Sequence, residues 1–195
     1  MAICALAFVG KQNSGKTTVL EKLITELTQR GYNVGTLKHH GHAGFDFDIE
    51  GKDSWRHAQA GSRFTAVSAP DKIAMVRELD APEDAAATLA AMMALSTAGE
   101  NQGTRPLDII LVEGFRQSGL PTIELFRAAN PNDAEREFGE EGNSIVGVIT
   151  NMPRIKEASA RRNIPSFDFE DTAALADYVE LLLPDYLIEA QTKSS

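Results

Sequence analysis

The chain has 195 residues, 43% hydrophobic and 24% charged, proportions of an ordinary globular domain that disfavour disordered and fibrous classes. Nineteen basic against twenty-eight acidic side chains give a net charge of −9, which argues against nucleic acid as a main partner because phosphate attraction needs a basic face. One cysteine allows no disulfide framework within the chain, no apolar run approaches the eighteen or so residues of a membrane span, and the start lacks the basic region of a signal peptide, so the expectation is a cytoplasmic protein with no membrane partner.

The first apolar run, Ile3 to Val9, reads as a strand with Cys4 buried in it as a small hydrophobe. Gly10-Lys11-Gln12-Asn13-Ser14-Gly15-Lys16-Thr17 follows and fits G-x-x-x-x-G-K-[ST] at every defined position. At average residue usage such a match arises with a probability of roughly 4 × 10⁻⁵ per start, under about 1% over a chain of this length. The chemistry explains the pattern. Glycines let the backbone curl so that successive N–H groups point at phosphate oxygens, and the positive end of the next helix adds to that field. Lys16 is expected to reach the β and γ phosphates and Thr17 to offer its hydroxyl to Mg²⁺, while Gly10 through Thr18 form the nucleotide cradle.

Val19, Leu20, Leu23, Ile24 and Leu27 recur at helical spacing and stop at Gly31, a glycine C-cap. Tyr32 to Leu37 is a second strand. Strand, loop, helix, strand is a βαβ unit, which implies a parallel sheet covered by helices. The polar stretch Lys38 to Lys52 carries His39, His40, His42, Asp46 and Asp48. These residues have the chemistry to ligate zinc, but a neighbouring P-loop already calls for Mg²⁺ held by oxygens and water. The loop is therefore read as a cover over the γ-phosphate, built from His39, His40 and Asp46 with Asp48 reaching Mg²⁺, or as a solvated loop.

Asp53 is expected to cap a short helix ending at Ala60-Gly61. Phe64 to Ala69 and Lys72 to Leu79 read as a hairpin turning at Pro70-Asp71, an insertion in the wound sheet. Pro82, with Glu83 and Asp84 behind it, opens an alanine-rich helix to about Ala98. Leu107 to Val112, Thr122 to Phe126 and Ser144 to Ile149 are further strands, with an acidic polar loop from Ala128 to Asn143. Pro165 to Phe169 is a last short strand and Thr172 to Leu183 a closing helix capped by Asp171.

In an open α/β sheet the ligand lies beyond the carboxyl ends of the strands. Asp108 and Glu113 bracket one strand, about 16 Å apart at roughly 3.3 Å per residue. Asp108 is at the wrong end, so Glu113 is the metal-side and water-orienting candidate, with Gly114 beside it leaving room for a phosphate or water. Asn151, after the strand ending at Ile149, is a candidate base contact or a turn residue. Lys11 stands five residues before Lys16, where some P-loop ATPases carry a lysine that reaches across a dimer; a plain surface lysine is the other reading.

Taken together, Gly10 to Thr18, Lys38-His39 with Phe45-Asp46-Phe47-Asp48 behind it, Gly51-Lys52-Asp53-Ser54, Ala60-Gly61, Leu111-Val112-Glu113-Gly114-Phe115 and Leu125-Phe126-Arg127 resemble the MobB family of molybdopterin-guanine dinucleotide biosynthesis proteins over about residues 3 to 183. The resemblance implies a homodimeric GTP-binding protein with weak GTPase activity that assists the guanylyltransferase MobA. Asn151 stands where that family often has an aspartate. The expected architecture is one three-layer α/β/α P-loop NTPase domain over residues 1–188, with a mostly parallel wound sheet, an inserted β-hairpin and a frayed tail from 189. Two other readings stay open. One is a small-molecule kinase using His39, His40 or Asp48 as base, with Arg56, Arg63 or Arg116 holding a second anion; the other is a dimeric ATPase switch using Lys11.

Overall fold

The structure, a computed structural model, describes residues 2–41, 45–81, 84–97, 105–115, 118–139 and 144–189. Pro82, Glu83, His42, Arg116 and part of the acidic loop, residues 140–143, lie outside the described residues. The chain forms two compact units, Met1–His39 with Ala85–Ser195, and His40–Asp84.

The larger unit is built on β1 (Ala2–Val9), β2 (Val34–Lys38), β5 (Ile109–Glu113), β6 (Thr122–Phe126), β7 (Ile145–Thr150) and β8 (Ser166–Phe167), in the order β2-β5-β1-β6-β7-β8. Every neighbouring pair along that path is parallel, so all their carboxyl ends share one edge. A short strand, β9 (Leu187–Glu189), runs antiparallel to β1, pairing Ala2 with Glu189 and Cys4 with Leu187. Because β5 occupies the other side of Cys4, β9 completes the lower part of the β1 edge whose upper part β6 covers.

Strand alternation sends residues to opposite faces. Cys4, Leu6 and Phe8 face α1 (Lys16–Gln29) and α5 (Thr172–Leu182), meeting Leu23, Leu27, Leu175 and Val179. Ile3, Ala5, Ala7 and Val9 face α3 (Ala85–Thr97) through Leu89 and Met93. On that second face α4 (Pro153–Ala160) sets Ile155 against Phe126 and Val148. Two helical layers thus enclose a mostly parallel sheet, the expected architecture. β1 and β5 have both faces covered, which is why they read as continuous apolar runs. No helix of the described residues is long and apolar enough to cross a membrane.

The smaller unit holds α2 (Asp53–Gln59) and the antiparallel hairpin β3 (Phe64–Ser68) and β4 (Ile73–Arg77), closed by Ala69 N–H to Lys72 O at 2.8 Å. The hairpin turns at Pro70-Asp71 as its sequence requires. Phe64, Val67, Ile73 and Met75 are exposed on it.

Some local expectations need correcting. Lys52, not Asp53, is the N-cap of α2, and Asp53 enters its first turn as an acid favourable to the helix dipole. Asp171 does hold the N-cap position of α5, but its side chain makes no capping bond. The acidic polar loop is partly buried. Asp133 is 0% and Arg136 5% exposed, and Arg136 pairs with both Asp133 and Glu124, the latter also 0% exposed, on β6. β9 (Leu187–Glu189), not anticipated from the sequence, ends at the first residue of the expected tail, and residues 190–195 lie outside the described residues.

Candidate functional site

The carboxyl edge of the sheet collects the end of β2 with Lys38, the end of β5 with Glu113, the loop after β1, the end of β6 with Arg127, and the end of β7 with Asn151. Between Val9 and Lys16 the backbone curls with Asn13 at φ 65° and Gly15 at φ 91°. Asparagine tolerates the left-handed region. At Gly15 there is a second reason for glycine: a Cβ there would stand 2.8 Å from Nη2 of Arg127. Gly15 is also the N-cap of α1, gives no side-chain cap, and is followed by a first turn without acids. The helix therefore presents its positive end unneutralised, an anion site.

Lys16 Nζ donates to Gly10 O at 3.0 Å and Lys11 O at 2.8 Å, which folds the ammonium over the curl. Gln12, Asn13, Gly15, Lys16, Thr17 and Thr18 line one side of a cleft of about 450 Å³, and Lys38, Glu113 and Arg127 line the rest. Three cations and one carboxylate make this cleft positive in a chain of charge −9. Gly10 and Lys11 contribute carbonyls rather than lining side chains, and Ser14 is buried.

Thr17 Oγ1 lies 3.2 and 3.3 Å from the two carboxylate oxygens of Glu113. Lys38, paired with Glu113 in the β2–β5 register, sets its Nζ 3.5 Å from Oε1. Asp108, at the other end of the same strand, instead accepts from Asn33 N–H at 2.6 Å and pairs with Arg105. A hydroxyl and one carboxylate are the hard oxygen donors that suit Mg²⁺, whose remaining ligands are normally phosphate oxygens and water. Among the described residues no group of three or more His, Cys, Asp or Glu side chains is arranged to hold a metal, so an ion at Thr17 and Glu113 depends on those other ligands. Gly114 (φ 91°) and Phe115 (φ 54°) turn the chain sharply after Glu113. The room expected beside Gly114 for a phosphate or water is taken by His39, whose Cβ lies 3.3 Å from where a Gly114 Cβ would stand. The His39 and Phe115 rings lie 4.2 Å apart.

On the opposite flank of the curl, Asn130 Nδ2 donates to Gln12 O at 3.0 Å and to Asp133 Oδ2 at 2.9 Å. Asp133 also accepts the Arg127 N–H at 3.0 Å and the Arg136 guanidinium at 3.0 Å. A buried ionic clasp thus braces the loop from outside. Arg127 and Lys38 line the cleft, though from the sequence they enter only the family resemblance and carry no site role. The rule that selected Glu113, a charged residue just past a strand end on the ligand side, selects Arg127 equally well. Asn151 is not part of the lining; its Oδ1 accepts the Ala128 N–H at 2.8 Å and ties the ends of β6 and β7 together.

His40, Asp46 and Asp48 belong to the smaller unit. There Asp46 Oδ2 accepts from Trp55 Nε1 at 3.2 Å, Asp46 Oδ1 from Asp48 N–H at 3.0 Å, and Asp48 Oδ1 from Ile49 N–H at 2.7 Å. Of the arginines considered for a second anion, Arg63 pairs with Asp80 at 2.7 Å and Arg56 lies 3.8 Å from Asp53.

The family model described as molybdopterin guanine dinucleotide synthesis protein B matches residues 5–151. The molybdopterin-guanine dinucleotide biosynthesis adapter protein of Haemophilus influenzae is 34% identical over 148 residues, 76% of this chain and 75% of its own length. The Escherichia coli protein of the same name is 31% identical over 174 residues, 89% of this chain and 90% of its own. Among solved structures, Bacillus subtilis MobB superposes with a TM-score of 0.70 at 26% identity, covering 92% of this chain and 97% of that one. With three quarters of its length matched by one family model and with such relatives spanning most of it, the chain belongs to the molybdopterin guanine dinucleotide synthesis protein B family.

Proposed function

We propose that this chain is a Mg²⁺·GTP-binding adapter with weak GTPase activity, which acts as a cytoplasmic homodimer and assists the guanylyltransferase of molybdopterin guanine dinucleotide biosynthesis. Membership in the family and relatives named as adapters support the pathway. The observation that carries the nucleotide reading is the meeting of Thr17 and Glu113 at 3.2 Å across the mouth of the phosphate loop. In this reading the loop amides and Lys16 hold the β and γ phosphates, and Thr17 and Glu113 hold Mg²⁺, which offsets phosphate charge. Among the described residues Glu113 is the one carboxylate lining the cleft. A single acid committed to the metal and to Lys38 is a poor water activator, so hydrolysis is slow. His39 then flanks the metal end beside Gly114 and Phe115, and Asn151 stands on the base side.

Calorimetric titration with GTP and ATP, each with Mg²⁺, tests the proposal. The parent protein is expected to bind GTP in preference to ATP and Lys16→Ala to lose binding, and the parent to co-purify with a guanylyltransferase. Retained affinity in Lys16→Ala would defeat the site assignment. A preference for ATP with no such partner would move the function to the kinase or the ATPase switch.

A further inference from the structure

We infer that Arg127 is a built-in clamp for the nucleoside-proximal phosphates, those common to nucleoside di- and triphosphates; the inference rests on the nucleotide-binding reading above. Arg127 leaves the carboxyl end of β6 and turns its guanidinium toward the phosphate loop, where Nη2 comes within 2.8 Å of the position a Gly15 Cβ would take. Its Cζ sits 4.4 Å over the Phe169 ring, and its Nε is buried with no hydrogen-bond acceptor among the described residues. No carboxylate of the described residues pairs with it. The nearby acid, Asp133, is committed to the Arg127 backbone N–H, to Asn130 and to Arg136.

Arg127 is half-buried and faces the cleft, but its Nε is sealed from water without an acceptor among the described residues, which is costly for a charged group. Three features hold it in place: the aromatic face, the anchored backbone and the missing side chain at Gly15. All three aim it at a cleft already lined by the loop. An anionic ligand supplies the missing partner, and the planar fork of arginine matches phosphate oxygens better than an ammonium does.

The order of strands decides which phosphates. Along the carboxyl edge the sequence is β5, β1, β6, β7. Glu113 and Thr17 mark the β5 side as the metal end, which receives the terminal phosphates. Arg127 is on the other side of β1, between the loop and Asn151. A nucleotide laid across the loop with its metal end at Glu113 passes its inner phosphates beneath Arg127.

GTP and GDP, each with Mg²⁺, are titrated into the parent protein, Arg127→Ala and Arg127→Lys, and hydrolysis is measured at saturating GTP. Loss of charged hydrogen bonds predicts that Arg127→Ala weakens GTP and GDP by a similar factor, roughly ten- to hundredfold. Arg127→Lys recovers part of the affinity. Weakening confined to GTP, together with slower hydrolysis at saturation, would place the guanidinium on the terminal phosphate and overturn the inference. Unchanged affinity for both nucleotides in Arg127→Ala would overturn it while leaving the parent's nucleotide binding intact. A parent protein that binds neither nucleotide removes both readings together.

Discussion

Asp133→Ala is the sharpest test of the clasp beside the phosphate loop. The carboxylate is fully buried and satisfies Arg136 at 3.0 Å, the Arg127 N–H at 3.0 Å and Asn130 Nδ2 at 2.9 Å. Removing one member of a buried pair costs roughly 3–5 kcal/mol, because the other charge is left behind. Glu124, 3.4 Å from Arg136 Nη2, still neutralises part of that charge and favours the lower half of the range. The orphaned Arg127 N–H adds about 1 kcal/mol or more. A net loss of about 4 kcal/mol corresponds to a fall in melting midpoint of roughly 8–16 °C for a domain of this size, measured by calorimetry or urea denaturation. Asp133→Asn retains an acceptor for the backbone N–H but not the charge, and is expected to lose about half as much. The clasp also holds Gln12 through Asn130, so nucleotide affinity should fall in parallel. An Asp133→Ala midpoint within about 2 °C of the parent would refute the reasoning, since a shift that small corresponds to under about 1 kcal/mol.

Glu113→Ala should raise the Mg²⁺ concentration needed for GTP binding about tenfold or more, a loss of about 1.4 kcal/mol. In EDTA the same variant should bind GTP at least as well as the parent, because a carboxylate facing phosphate has gone; an unchanged Mg²⁺ dependence would contradict its metal-side role. Burial pushes the Cys4 thiol up to about 11, so a thiol reagent at pH 8 should leave the native protein unlabelled and take up one equivalent in urea. This value lies above the roughly 8.5 of an unfolded thiol. Its contribution to stability is therefore complete below about pH 8.5 and is lost as the pH rises toward 11.

The phosphate loop was legible because its chemistry is contiguous: eight residues, one curl, one helix end. β1, β5 and β7 were legible because strands enclosed on both faces carry nearly continuous apolar runs, and β6 from Ile123, Leu125 and Phe126 despite Thr122 and Glu124 between them. What escaped the sequence depends on distant partners. α4 buries only Ile155 and Ser159, too few for a periodic stripe. β9 is three residues long and exists by pairing with the other end of the chain. Glu124, Asp133 and Arg136 look like surface charges, and only the fold of the loop back onto β6 brings them together out of water. The cap at Asp171 failed for the opposite reason. Its residue type fits the position, but its backbone, at φ −84° and ψ 54°, departs from the extended conformation from which an N-cap side chain reaches the first-turn amides.

The pairing of β9 with β1 has a kinetic corollary. The strand that carries the phosphate loop leaves the ribosome long before β9 does, so part of its edge waits for residues 187–189, far along the chain. Contacts so distant in sequence form late, so a nascent chain stalled before that segment keeps Ala2–Cys4 exposed on one side to any passing strand. Pulse-labelling hydrogen exchange during refolding should find the Ala2–Cys4 amides that face β9 protected after those of β1 that bond to β5.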